Sequence, residues 1–148
     1  MNPIKLVLPP PISANAYWKS FVLGKRIMVA PSSEAKKYKK IVEEIARSSG
    51  IKAPIVGRVH VHIDLYPRRP LDWQKRAAKN PTNWDDTVKS IDIDNARKCL
   101  YDAMKNIVFQ DDKFVWSDSA KRCEPDGEGR VVVTITPLKI ETPQASLI

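Results

Sequence analysis

Short alternating stretches interleaved with two stretches of helical spacing predict an α/β or α+β domain, a small mixed sheet with two main helices packed on it. Three observations carry this. Arg58 to Tyr66 alternates strictly, with Val59, Val61, Ile63 and Leu65 on one face and His60, His62 and Asp64 on the other. Tyr38, Ile41, Val42 and Ile45 recur at helical spacing, as do Ile93, Ala96, Leu100, Met104 and Ile107. With 43% apolar residues among 148, the chain can fill one ordinary core, so a single domain is expected over residues 1–137, followed by a tail over 138–148.

Taken in order, Ile4 to Leu8 alternates as a short strand, and Pro9-Pro10-Pro11 ends it because proline has no ladder donor. A polar and aromatic loop from Ser13 to Lys19 follows. Gly24-Lys25-Arg26 predicts a tight turn before a strand at Ile27-Met28-Val29, which makes an early hairpin. Pro31-Ser32-Ser33-Glu34 is a helix start, with a serine to cap free amides and an acid in the first turn. Along that helix Lys36, Lys37, Lys39 and Lys40 face outward, and Gly50 lies just beyond its end.

Pro67 to Ser90 has no apolar period, is rich in proline, lysine and arginine, and carries Trp73 and Trp84. It predicts a long exposed basic loop, where cations interleaved with tryptophan suit phosphate contact and base stacking. The second helix is expected over Ile93 to Asn106, with Asn106 able to adopt the left-handed closing conformation. Phe114 to Cys123 and Arg130 to Thr136 predict two strands joined by the turn-rich run Pro125 to Gly129.

Lysine and arginine outnumber aspartate and glutamate by 25 to 17, a formal charge of +8 that suits an anionic partner, nucleic acid first. No apolar run is as long as a membrane span and Met1-Asn2-Pro3-Ile4 lacks the pattern of a secretory signal, so no membrane partner and a cytoplasmic location are expected. Cys99 and Cys123 are too few and too far apart for a disulfide framework or a zinc knuckle and are expected as reduced thiols. His60 and His62 point the same way along a strand; a structural role is the ordinary one for such a pair, metal ligation the rarer one.

The chemistry concentrates at Asp92-Ile93-Asp94. An extended backbone there would put both carboxylates on one side and Ile93 in the core. Clustered carboxylates suit magnesium, which takes one or two of them, keeps several waters and completes its octahedron with substrate phosphate. Lys98 stands one helical turn beyond Asp94, placed either to stabilise charge on a phosphorane or simply to form a helix ion pair. A second pair, Asp111-Asp112, follows the helix, where the chain could return to the same end of the sheet. A basic chain that gathers carboxylates has set local charge against its global field, and a divalent ion is the usual reason.

Asp92-Ile93-Asp94-Asn95, then Lys98, then Asp102-Ala103-Met104, then Asp111-Asp112 resembles the signature of the RusA family of Holliday-junction resolvases. Leu8-Pro9-Pro10-Pro11-Ile12-Ser13-Ala14-Asn15-Ala16-Tyr17 is similar to that family's proline-rich opening. The resemblance implies a homodimeric, magnesium-dependent endonuclease, with manganese able to substitute, that nicks two opposed strands of a four-way junction in recombination and repair and is commonly prophage-encoded. It implies Asp92, Asp94 and Asp112 as metal ligands assisted by Asp111, with Lys98 on the scissile phosphate. Candidate DNA contacts are Asn15 and Lys19 in the opening loop, Arg68, Arg69, Lys75 and Arg76 in the basic loop, and Lys121 and Arg122 near the end of the next strand. Three departures stand out: the basic loop is longer than in the family's best-known member, Asn106-Ile107-Val108 replaces the glycine after the second helix, and Lys113-Phe114 replaces a glutamine. A related nuclease acting on flaps or forks would use the same residues. A non-catalytic protein binding branched DNA would keep its acids for structure alone.

Overall fold

The structure, a computed structural model, describes residues 2–12 and 18–139. Six strands, β1 (Ile4–Leu8), β2 (Trp18–Leu23), β3 (Arg26–Pro31), β4 (Val59–Tyr66), β5 (Val115–Arg122) and β6 (Arg130–Pro137), alternate with three helices, α1 (Ser33–Ser48), α2 (Trp73–Lys79) and α3 (Ile93–Met104). The main sheet is four-stranded in the order β1-β6-β4-β5, and β2 and β3 form a separate hairpin. β6 is antiparallel to both β1 and β4, whereas β5 runs parallel to β4. The class is therefore α+β with a mixed sheet, as the sequence predicts.

Burial on β4 follows its alternation. Val59, Val61, Ile63 and Leu65 are 0–3% exposed, and the first three share one core with Leu6 and Leu8 of β1 and Val131, Val133 and Ile135 of β6. Both long helices lie on this face, because each has a continuous apolar stripe that only the sheet and the other helix can cover. α1 starts at Ser32, whose hydroxyl accepts the Ala35 amide at 3.1 Å, and buries Ala35, Tyr38, Val42 and Ala46. Ile41, expected in that stripe, is 40% exposed; the i, i+4 row through Tyr38 and Val42 continues to Ala46 and leaves Ile41 at its edge. α3 buries Ala96, Cys99, Leu100, Ala103 and Met104, then stops at Lys105, with Asn106 in the left-handed region at φ 64°.

One expectation is corrected, and one strand pairing goes beyond what the sequence predicts. The strands β5 and β6 are not neighbours despite the turn-rich segment between them; β4 lies between the two, so α3 and the segment before it form a crossover connecting parallel strands β4 and β5. Residues 67–90 are not one open loop. They fold into α2 and a short 3-10 turn at Trp84–Thr87, with Trp84 only 5% exposed and tilted against Trp73 at 6.2 Å between ring centroids. The indole Nε1 of Trp84 donates to Glu124 at 3.2 Å, and the Arg69 amide donates to the Gly127 carbonyl at 2.8 Å, fastening this segment to the β5–β6 connection. Tryptophans without apolar period gave no sign of a core of their own, yet one large ring buried against another is enough to fold a short insert.

On the far side of the sheet His60 and His62 face β5. His60 Nδ1 and Ser117 Oγ are 2.7 Å apart, His62 Nδ1 and Ser119 Oγ 2.6 Å, and His62 Nε2 and Asp64 Oδ1 2.9 Å. Both rings are thus satisfied across the parallel strand pair, the structural role expected of them. Cys99 and Cys123 are free, as expected of reduced thiols. No helix among the described residues is long and apolar enough to cross a membrane. Of the expected tail, residues 140–148 lie outside the described residues.

Candidate active site

α3 positions the carboxylates, and it begins where it does because Asp92 caps it. Asp92 is in extended conformation and its Oδ1 accepts the Asn95 amide at 2.8 Å, while Oδ2 accepts the Asn95 side-chain amide at 3.0 Å. A carboxylate has roughly four acceptor positions, so the cap leaves room on Asp92 for a cation. Asp94 already lies in the first helical turn. The expected extended Asp92-Ile93-Asp94 geometry therefore stops at Asp92, and Ile93 is half-buried rather than in the core. Both aspartates remain exposed at the N-terminal end of the helix.

Lys98 Nζ stands 3.2 Å from Asp94 Oδ2, and both side chains are mostly exposed. Asp94, Lys98 and Asp102 follow each other at i, i+4 and i+8, forming one polar row along α3 opposite its buried stripe. Lys39 of α1 donates to the Asp102 carbonyl at 3.3 Å and brings another cation to the far end of this row.

Asp111 and Asp112 lie at that far end. Asp111 caps the 3-10 turn Asp112–Phe114, accepting the Lys113 amide at 3.3 Å, and its Oδ2 is 3.8 Å from Lys105 Nζ. Partial burial raises the Asp112 carboxyl above the usual carboxylate range; Asp111 and Asp102 add to the rise, while Lys105 and Lys39 oppose it. The expectation that this pair returns to the end of the sheet occupied by Asp92 is not met. From Asp94 to the end of α3 at Met104 is ten residues, which at about 1.5 Å per residue puts roughly 15 Å of helix between the two groups. Topology gives the reason: Ser90 and Ile91 share a cleft with Leu65, Tyr66 and Pro67 at the end of β4, whereas Val115 pairs with Val59 at its start. No three histidine, cysteine, aspartate or glutamate side chains come together to hold a metal ion among the described residues.

Between the two ends, Arg97 Nε lies 2.8 Å from Asp118 Oδ2 and the Tyr101 hydroxyl donates to the same oxygen, tying α3 to β5. Burial, followed by this hydrogen bond, pushes the Tyr101 hydroxyl pKa upward. Asp102, Lys39 and Lys105 were missed as site residues. Asp102 carried a signal, since it stands at i+8 from Asp94, but Lys39 comes from a distant helix and no spacing could have found it.

Of the expected DNA contacts, Arg68, Lys75 and Lys121 are exposed, and Arg69 is half-buried with its guanidinium 4.4 Å over the Trp73 ring. Arg76 is occupied by Asp72 at 2.9 Å and by the carbonyl and hydroxyl of Thr87. Arg122 donates to the Asp85 and Val88 carbonyls. Asn15 lies outside the described residues, and Lys19 is in β2.

The family model described as Endodeoxyribonuclease RusA matches residues 8–136. No curated protein matches closely enough to add a relative. The matched span runs from the end of β1 through α3 and both acidic groups almost to the end of β6, and so the chain belongs to the RusA family of endodeoxyribonucleases.

Proposed function

We propose that this endodeoxyribonuclease resolves Holliday junctions by paired symmetric nicks, depends on magnesium, and works as a homodimer in which each active site takes Asp92 and Asp94 from one copy and Asp111 and Asp112 from the other. The observation that carries this reading is the separation of the two acidic groups along α3, roughly 15 Å by helical rise and too far for one ion. A two-fold axis across antiparallel α3 helices would bring unlike ends together twice, giving two equivalent sites for two equivalent strands. The donor set fits the ion, because it offers only oxygen and no histidine or thiolate. Bound there, magnesium would polarise the phosphate and lower the pKa of water at the scissile bond.

The chain's own residues supply the rest. The Asp92–Asn95 cap holds one carboxylate in a fixed direction. Lys98, already beside Asp94, can swing its ammonium onto a non-bridging phosphate oxygen and stabilise charge developing in the transition state. Lys39 and Lys105 oppose the rise that burial imposes on the Asp112 carboxyl. A synthetic four-way junction incubated with magnesium or with chelator tests the reading. Symmetric, ligatable nicks only with magnesium would support it; equal cutting of flaps and forks would move the substrate to branched DNA in general, and binding without cutting in either buffer would sink it.

A further inference from the structure

The segment between β4 and α3 carries six basic and three acidic residues from 67 to 90, and at its tip stands Leu71, 97% exposed. A lone exposed leucine needs no explanation in general. This one is held rigidly among cations. Pro70 precedes it, the Trp73 amide closes the turn onto the Pro70 carbonyl at 3.1 Å, and Asp72 is pinned by Arg76 at 2.9 Å. Leu71 also forms the shared rim of two open clefts, of about 290 and 420 Å³, both lined by Arg68, Arg69 and Pro70. In the first cleft the Arg69 guanidinium lies 4.4 Å over the Trp73 ring, an aromatic and cationic shelf. The second shares Arg68 and Lys89 with a further cleft lined by Ser90 and Ile91, the residues that precede Asp92 in the chain.

From this placement of a rigid apolar tip between two arginine-lined clefts, one of which shares lining residues with the cleft that precedes Asp92, we infer that Leu71 is a wedge that enters the base stack of branched DNA, and that the Arg69–Trp73 shelf receives the base it displaces. The inference rests on the DNA-cleaving reading above. Phosphates on the arginines would hold the duplex while the side chain parts one step, as apolar wedges do in proteins that kink DNA. An unstacked base finds a replacement partner on an aromatic ring with a guanidinium above it. Branch points favour such entry because their bases are already partly unstacked.

The test uses a four-way junction with 2-aminopurine next to the base that the wedge displaces, so that the probe itself is left unstacked, and the full chain carrying Asp92→Asn, which should bind without cutting. Binding should raise the fluorescence of the probe several-fold. Adding Leu71→Ala should abolish that rise while weakening binding by less than about tenfold, a change under ~1.4 kcal/mol, and Leu71→Met should restore it. In the otherwise unsubstituted chain Leu71→Ala should slow junction cleavage about tenfold or more, ~1.4 kcal/mol of barrier. An undiminished fluorescence rise with Leu71→Ala would overturn the wedge while leaving the nuclease reading intact. Failure of the unsubstituted chain to cut any branched DNA would overturn both.

Discussion

Arg122 at the end of β5 donates to the Val88 carbonyl at 2.9 Å, and so the edge strand holds the segment that leads into α3. The same guanidinium reaches the Asp85 carbonyl at 3.2 Å. Arg122→Ala should therefore destabilise the fold by about 1–2 kcal/mol, the worth of hydrogen bonds from a charged donor, and expose residues 67–90 to protease. Urea denaturation and limited proteolysis measure both. An unchanged cleavage pattern with a reduced salt dependence of DNA binding would instead make Arg122 a phosphate contact.

Asp92 caps α3 and is proposed as a metal ligand, and substitution can separate the two. Asparagine caps a helix as well as aspartate does, so Asp92→Asn should keep stability within about 0.5 kcal/mol of the original, whereas Asp92→Ala should cost about 1 kcal/mol. Both should abolish cutting. Thermal unfolding beside a junction-cleavage assay distinguishes them, and full activity in Asp92→Asn would remove the residue from the chemistry.

The elements with strict periodicity were legible in the sequence. β4 alternates as its residues demand, and the serine cap after Pro31 marks where α1 begins. What was not legible depends on contacts far apart in the chain. Nothing near Val115 says that its strand pairs in parallel with β4 and not with β6. That pairing is what sends Asp111 and Asp112 to the opposite end of α3 from Asp92. The fold of residues 67–90 was hidden for a similar reason: its stability comes from one buried tryptophan and from carbonyls bonded by Arg76 and Arg122, none of which has a period.

Asp94→Asn should bind junction DNA as tightly as the unsubstituted chain or more so, while losing cleavage, because one negative charge facing phosphate is removed. The lost Lys98 ion pair is exposed and worth only a few tenths of a kcal/mol. Gel-shift titration at low salt measures this. Markedly weaker binding would contradict the account of Asp94 as a ligand standing against a basic field.

Cys99 supplies a pH prediction. Its thiol is buried under the Ile12 segment, accepting the Ile12 amide at 3.3 Å, and burial pushes its pKa from 9.0 to about 11. A raised folded pKa means that the stabilisation is complete below the unfolded value of 9.0 and is lost as pH rises toward about 11. Urea unfolding across that window should show falling stability for the original chain and a shallower fall for Cys99→Ala. Equal slopes would mean that other groups set the alkaline limit.

The placement of the two acidic groups at opposite ends of α3 is tested most directly by mixing two inactive variants. Asp92→Asn and Asp112→Asn should each bind four-way junctions without cutting them. Co-refolded in equal amounts they should form mixed dimers with one intact site each, restoring roughly a quarter of the wild-type sites and giving single nicks. Mixed dimers that form and bind the junction yet never nick it would contradict a site shared between two copies.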